Sequence, residues 1–168
     1  MKKNLFNFVL IFIVTISLSG CGSKTSVSSS KNVPVTYHEL NFNIPDYFNK
    51  NEEYSGDALM YDWDDMGGKN MNSCFLNVNA STDYGNSHTE MIKSELEEGY
   101  GAENIEPTIK TINGVDWTIG TYTKSKTTFY RYFASYNGKL YVISYDDIGS
   151  GEVCKEAFDI ISSSLKFN

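Results

Sequence analysis

Two Asn-Gly dipeptides, each placed between strand-like segments, constrain the fold of this chain more than any other feature of its sequence. They are Asn113-Gly114, between residues 108–112 and 115–122, and Asn137-Gly138, between residues 127–136 and 139–145. Both central residues of a two-residue hairpin turn need a positive φ, which Asn and Gly adopt more readily than other residues. We therefore predict two consecutive hairpins that together form a four-stranded antiparallel meander.

Short strands are also predicted before the meander. Their segments are residues 36–44, 58–63 and 74–80. In the first segment Leu40, Phe42 and Ile44 alternate with asparagines, which is the pattern of a strand that buries one face. This segment should therefore run as one continuous strand.

Two helices complete the predicted fold. The first should begin at Ser87, which forms a capping box with Glu90, and should end near Gly99 and Gly101. Residues 152–165 carry apolar side chains at helical spacing and should form a second helix that packs on the sheet. The predicted class is therefore α+β, with an antiparallel sheet flanked by helices.

The N-terminal residues have the composition of a secretion signal. Lys2 and Lys3 precede a mostly apolar stretch at 5–18, which is shorter than the ~20 residues that a membrane-spanning helix needs. Leu18-Ser19-Gly20-Cys21 resembles the lipobox of bacterial lipoproteins, which implies cleavage between Gly20 and Cys21 and a lipid on the Cys21 thiol. The alternative is an uncleaved membrane anchor with a chance cysteine.

We accordingly divide the chain into three parts. Residues 1–20 are the predicted lipoprotein signal peptide, and residues 21–32 are the lipidated cysteine with a flexible tether of mainly Ser, Thr and Lys. Residues 33–168 are a single α+β domain. The expected location is extracytoplasmic, with the protein anchored to the bacterial cell membrane by the lipid on Cys21.

The charge of the chain excludes some classes of partner. It has 14 basic and 21 acidic residues, a net charge of −7. A nucleic-acid-binding protein would show a basic stripe, and a protein held on anionic lipid by charge would show a polybasic segment. We therefore predict no nucleic-acid partner, and we expect membrane attachment through the lipid on Cys21.

Two cysteines remain once Cys21 is assigned to lipidation. Cys74 shares one face of its strand with Leu76 and Val78, and Cys154 lies on the apolar face of the second helix. Both should point toward a core, and an extracytoplasmic compartment permits a disulfide. A Cys74–Cys154 disulfide and two buried, unreactive thiols are both consistent with the sequence.

The second hairpin carries a face rich in tyrosine, which is a candidate binding surface. Its register places on one side Tyr130, Tyr132, Tyr136, Tyr141, Ile143 and Tyr145. The opposite side carries Phe129, Phe133, Leu140 and Val142 and suits the core. Because tyrosine has an apolar ring and a polar tip, as protein interfaces require, the tyrosine side is a candidate docking face. In the alternative, the first helix covers this face and the hydroxyls merely reach water.

An acidic cluster is a candidate metal site. The cluster consists of Asp57, Asp62, Asp64 and Asp65, close to Gly67-Gly68. It departs from the calcium-binding EF-hand pattern, so we interpret it as solvated loop charge and predict neither metal nor cofactor.

The histidines, His38 and His88, lie in no known catalytic motif, and His38 should share a strand with Glu39 on its opposite face. The sequence therefore predicts that the chain is not an enzyme.

The order of the elements resembles the PsbP-like fold, an α/β/α sandwich shared with a Ran-binding nuclear import factor. The residues that carry the resemblance are Phe42-Asn43-Ile44-Pro45, Ile112-Asn113-Gly114 with Trp117, Asn137-Gly138-Lys139, and Phe158, Ile161 and Ser164-Leu165-Lys166-Phe167. The resemblance covers most of the chain after the tether. It implies a non-enzymatic domain that docks on other proteins and assists assemblies, and it transfers no site residues.

The sequence as a whole predicts a lipid-anchored binding or assembly-accessory protein with a partner in the cell envelope. Two alternatives stay open at this point. A hydrolytic envelope enzyme would join His38 or His88 to a nucleophile in a cleft. An inert surface spacer would have neither a binding face nor a catalytic cleft.

Overall fold

The computed structural model describes residues 31–52, 57–64, 72–149 and 151–168. Within these ranges the chain forms ten strands and two helices. The strands are β1 (Asn32–Tyr37), β2 (Leu40–Pro45), β3 (Asn49–Lys50), β4 (Leu59–Asp64), β5 (Ser73–Thr82), β6 (Thr108–Ile112), β7 (Val115–Lys124), β8 (Thr127–Tyr136), β9 (Lys139–Ile148) and β10 (Lys166–Phe167). The helices are α1 (His88–Tyr100) and α2 (Glu152–Ser164).

The described strands form two antiparallel sheets. The large sheet has the order β3-β4-β5-β9-β8-β7-β6, and the small sheet has the order β1-β2-β10. α1 packs on one face of the large sheet, over β7 and β8, while α2 and the small sheet cover the other face. This sandwich of helix, sheet and helix confirms the predicted α+β class.

Both Asn-Gly dipeptides form the predicted hairpin turns. Asn113 and Gly114 have φ angles of 48° and 85°, and Asn137 and Gly138 have φ angles of 49° and 74°. Positive φ at both central positions is the conformation that a tight hairpin requires. β6, β7, β8 and β9 therefore run as the predicted meander.

The prediction of a single strand over residues 36–44 is wrong. The chain turns back at His38 and Glu39, so β1 and β2 pair as a hairpin. His38 has a φ of 52°, which is uncommon for a residue other than glycine. His38 and Glu39 therefore lie in a turn and not on opposite faces of a strand.

α1 begins and ends at the predicted residues. The Ser87 hydroxyl accepts a hydrogen bond from the amide N–H of Glu90 at 3.4 Å, and Gly101 ends the helix with a φ of 65°. α1 lies very close to the sheet at Gly120, where a β-carbon would overlap the side chain of Ile92. Glycine at this position lets Ile92 pack directly on the backbone of β7.

The main core lies between the large sheet and α2, and a smaller core lies beneath α1. Buried members of the main core are Leu40, Phe42, Ile44, Leu76, Val78, Tyr141, Ile143, Tyr145, Cys154, Ala157, Phe158 and Ile161. Buried members of the smaller core are Ile92, Leu96, Ala102, Ile105, Phe133 and Leu140. Because burying one large apolar side chain stabilises a fold by about 1.5–3 kcal/mol, these contacts hold both helices on the sheet.

Candidate functional site

The tyrosine face, which the sequence suggests as a docking surface, lies in the main core. Tyr141 and Tyr145 are fully buried, and Tyr132 is 8% exposed. Phe158 of α2 stacks on Tyr130 and Tyr145, with ring centroids 4.1 and 4.9 Å apart. The hypothesis that this face docks a partner is therefore wrong for the folded domain.

The elements that cover the tyrosine face also differ from those that the sequence suggests. The sequence suggested α1 as the cover, but α2 and the small sheet pack there, and Phe167 of β10 stacks on Tyr136 at 4.2 Å. α1 packs instead on the side that carries Phe133 and Leu140, which the sequence assigned to the core. The tyrosine side of the second hairpin therefore lies beneath α2 and the small sheet, and α1 covers part of the opposite side, where Ser135 is exposed and Ser144 is half-buried.

The buried tyrosine hydroxyls find partners inside the protein. Tyr145 donates to the backbone carbonyl of Cys154 at 2.7 Å, and Tyr141 donates to the Glu39 carboxylate. Burial and this bond to Glu39 raise the pKa of Tyr141 to about 12. The same bond, with Lys139 beside it, lowers the pKa of Glu39. The contacts with Glu39 hold the β1–β2 turn on the large sheet, and the Tyr145 bond joins β9 to α2.

Cys74 of β5 and Cys154 of α2 form a disulfide in the structure. Their Cα atoms are 5.6 Å apart, and both residues are fully buried. Of the two alternatives left by the sequence, a bridge or two free thiols, the structure has the bridge. It joins the first turn of α2 to the large sheet across the main core.

The histidine best placed for catalysis is His88, at the start of α1. Its Nε2 lies 3.0 Å from the Ser135 hydroxyl on β8. Ser135 also hydrogen-bonds with Asp83, and this bond, with a second from the Gly85 amide, lowers the pKa of the Asp83 carboxyl. The Ser135 hydroxyl therefore lies within reach of both the Asp83 carboxylate and the Nε2 of His88.

This arrangement differs from that of a Ser-His-acid triad. In a triad the histidine accepts the serine proton, and the carboxylate binds the other ring nitrogen. Here the Asp83 carboxylate contacts the serine, and among the described residues no hydrogen bond joins it to the ring of His88, so it does not take the place of the triad acid. We interpret these contacts as a structural link between the start of α1 and β8.

The other predicted sites fall in different places. Asp57 precedes β4, and Asp62 and Asp64 lie on it, whereas Asp65 and Gly67-Gly68 lie outside the described residues, as do Gly20 and Cys21. Among the residues that the structure describes, no group of three or more His, Cys, Asp or Glu side chains could hold a metal ion. In the same part of the chain, neither helix is long and apolar enough to cross a membrane.

A large part of the sheet face beside α1 is left uncovered by the described residues. Directly paired residues share a face, and Arg131, Ser144, Asn77 and Met60 form one row across β8, β9, β5 and β4. α1 packs over the Arg131 end of this row, where the side chain is buried. Ser144, Asn77 and Met60 are half-buried, so their side of the row faces solvent.

We call this surface the open face. Its residues are Met60, Asp62 and Asp64 of β4, Phe75, Asn77 and Asn79 of β5, and Ser144 of β9. Phe75 is 44% exposed and is paired with Asp62 on one side and Asp146 on the other. The surface therefore combines an exposed aromatic ring with amides, a hydroxyl and carboxylates.

A groove of about 600 Å³ runs along α1 beside the open face. It is lined by Asn86, Ser87, Glu90, Met91, Ser94, Glu95 and Phe133. Phe133 of β8, which lines the groove, is paired with Val142 of β9, and Val142 is paired with Asn79 of the open face. The α1 groove and the open face are therefore neighbouring parts of one surface.

Arg131 lies at the boundary between α1 and the open face and is bonded to residues on both sides. Its Nε lies 2.5 Å from Glu95 of α1, its Nη1 lies 2.8 Å from Asp146 of β9, and its Nη2 donates to the Tyr100 hydroxyl at 2.8 Å. Burial would lower the pKa of Arg131, but Asp146 and Glu95 raise it overall. The single cation is shared by two carboxylates, so this cluster keeps a net negative charge.

The alternation of side chains along β5 is a sequence signal for the open face that the sequence analysis does not use. On β5, Cys74, Leu76 and Val78 are buried, and the residues between them, Phe75 and Asn77, are at least partly exposed. Such alternation indicates a strand with one buried face and one polar face. It does not indicate whether a helix covers the polar face.

Comparison with known proteins shows the fold of the chain. No protein-family model matches it, and no curated protein does. It is similar to the solution structure of cyanobacterial PsbP (CyanoP) from Synechocystis, with 13% identity, a TM-score of 0.56, and coverage of 90% of this chain and 99% of that chain. At this identity the similarity shows the fold alone, and it confirms the predicted PsbP-like fold.

Two further solved structures are more distant. A protein from Bacteroides thetaiotaomicron is 12% identical with a TM-score of 0.49, and the match covers 83% of this chain but 48% of that chain. A protein of unknown function from Pseudomonas aeruginosa, described as a putative regulator, is 11% identical with a TM-score of 0.44 and coverage of 82% and 97%. This chain thus spans about half the length of the Bacteroides protein.

Proposed function

We propose that this chain is a lipid-anchored, extracytoplasmic binding protein without enzymatic activity, which holds a partner protein of the cell envelope. The observation that carries the proposal is the unequal covering of the large sheet. One face is closed by α2 and the small sheet, whereas the other leaves the open face and the α1 groove accessible. A partner would therefore bind on the α1 side.

The location rests on two features. Disulfides persist in oxidising compartments and are rare in the cytosol, so the buried Cys74–Cys154 bridge supports an extracytoplasmic protein. The lipobox-like sequence ending at Cys21 supports a lipid anchor, and two acyl chains suffice for stable attachment to a bilayer.

The chemistry of the open face supports binding. Protein interfaces combine aromatic and methionine side chains with polar groups that form hydrogen bonds. Phe75, Met60, Asn77 and Asn79 supply this combination on neighbouring strands. The PsbP-like fold, which the resemblance associates with docking on other proteins, agrees with such a role.

The two alternatives have less support. A hydrolase needs an activated nucleophile, and the carboxylate beside Ser135 contacts the serine itself and not the second ring nitrogen of His88. An inert spacer has no need of a groove of about 600 Å³, lined in part by Met91 and Phe133, beside a polar sheet face.

Photo-crosslinking in intact cells tests this proposal. A photoreactive residue replaces Asn77 in one variant and Asn79 in a second, and exposed Glu97 on the outer side of α1 serves as the control position. We expect one discrete adduct from both open-face positions and none from Glu97.

The same experiment can overturn the proposal. If the open-face positions give no adduct in folded protein, or give the same products as Glu97, no specific partner binds this face. An inert spacer would then be the better description of the chain.

A further inference from the structure

The charges around the open face are unbalanced. Asp62 and Asp64 lie on β4 at one side of Phe75, and Asp146 lies on β9 at the other side. Arg131 is 1% exposed and already bonded to Glu95 and Asp146, and Lys93 of α1 lies 3.9 Å from Glu90, which lines the groove. Among the described residues of this surface, the carboxylates of Asp62, Asp64, Asp146, Glu90 and Glu95 outnumber these two cations, so the surface carries a net negative charge.

Such a surface selects among envelope partners by charge. Anionic lipid headgroups, nucleic acids and acidic proteins would bring like charges together, which costs free energy. A lysine or arginine side chain could make two favourable contacts on this face. Its charge would meet the carboxylates, and its head could lie over the exposed ring of Phe75 in a cation–π contact.

The hydrogen-bonding groups favour an extended segment. Asn77 and Asn79 point to the same side of β5, about 6–7 Å apart along the strand, which is the spacing of alternate residues in an extended chain. The side-chain oxygen of Asn77 is buried and has no hydrogen-bond partner. Because that oxygen is buried, an extended peptide lying along β5 would hydrogen-bond with Asn79 and bring basic side chains to the carboxylates.

We infer that the open face and the α1 groove bind an extended, lysine- or arginine-rich segment of an envelope protein. This inference rests on the proposed binding function and specifies the chemistry of its partner. Binding should weaken as salt is added, because the contacting charges lie at a solvent-exposed surface.

Fluorescence anisotropy with a defined probe tests the inference. The full chain, purified from membranes in neutral detergent, is titrated into a labelled peptide of alternating lysine and threonine. A peptide of alternating glutamate and threonine is the control ligand. We expect saturable, salt-sensitive binding of the lysine peptide alone.

A matched pair of variants locates the binding site. Asp62→Asn with Asp64→Asn removes two charges from the open face, and we expect about tenfold weaker binding, or 1.4 kcal/mol. Glu156→Gln with Asp159→Asn removes the same charge from exposed positions on α2 and should leave affinity unchanged. Thermal unfolding of each variant confirms that it is folded.

The outcomes separate this inference from the proposed function. If the lysine peptide does not bind, or both variant pairs weaken it equally, the charge-based inference is wrong. If cells still give a discrete adduct from Asn77 in that case, the open face binds a partner of other chemistry, and the proposed function stands. If both experiments fail, the proposed function fails with the inference.

Discussion

Replacing both Cys74 and Cys154 with alanine is expected to lower the free energy of unfolding by about 4 kcal/mol. The disulfide joins residues separated by 80 positions, and a cross-link of that length restricts the unfolded chain strongly. Many small domains have a total stability of only about 5–15 kcal/mol, so the variant should be close to unfolding. Urea denaturation followed by circular dichroism measures the loss.

A control separates the cross-link from the side chains. Unfolding the natural chain in the presence of a reductant should give nearly the same loss, because reduction removes the bridge but keeps both cysteines. A double variant as stable as the natural chain would mean that α2 is held on the sheet without help from the disulfide.

Arg131→Met should destabilise the domain by about 2–4 kcal/mol. Removing one member of a buried ion cluster leaves the remaining charges uncompensated. The side chains of Glu95 and Asp146 are 37% and 27% exposed, so water can solvate them in part, and the loss should lie toward the lower end of this range. Because Glu95 is on α1, we also expect increased hydrogen exchange in that helix.

Two further variants test the reason for the loss. Adding Glu95→Gln and Asp146→Asn to Arg131→Met should restore part of the stability, because no uncompensated charge then remains. Lys93→Met removes an exposed cation 3.9 Å from Glu90 and should change stability by less than about 0.5 kcal/mol. Equal losses for Arg131→Met and Lys93→Met would contradict the assigned role of Arg131.

The parts of the fold that were predictable are those set by local chemistry. The two Asn-Gly turns need positive φ at both positions, and the helix beginning at Ser87 has its cap in the sequence. The turn at His38 and Glu39 has no such marker, because neither residue is a usual turn former. Contacts made by distant residues, including Tyr141 with Glu39, hold that turn in place.

The assignment of the main core failed for a different reason. Alternation along the second hairpin shows that it has two distinct faces but not which helix covers each one. Tyrosine suggested solvent, yet Tyr145 reaches the carbonyl of Cys154 and Tyr141 reaches Glu39, so their polar tips are satisfied within the fold. Such partners depend on tertiary contacts that a single sequence does not reveal.

The candidate site could not be predicted from the sequence, because the position of α1 and the strand order decide which sheet residues are exposed. α1 has 13 residues and packs over β7 and β8, so it cannot also cover β5 and β4. The order of strands in the large sheet, with β9 between β5 and β8, determines which residues are left exposed. That order results from long-range pairing and has no local signal.

Hydroxyl-radical labelling of the native protein, read by mass spectrometry, tests most directly whether the binding surface lies on the α1 side. We predict that Phe75 and Met60 are modified in the native protein, Phe75 being 44% exposed and Met60 half-buried, whereas Tyr141 and Tyr145 are protected until the domain unfolds. Rapid labelling of both tyrosines with protection of Phe75 would contradict the account and would return the binding surface to the tyrosine face.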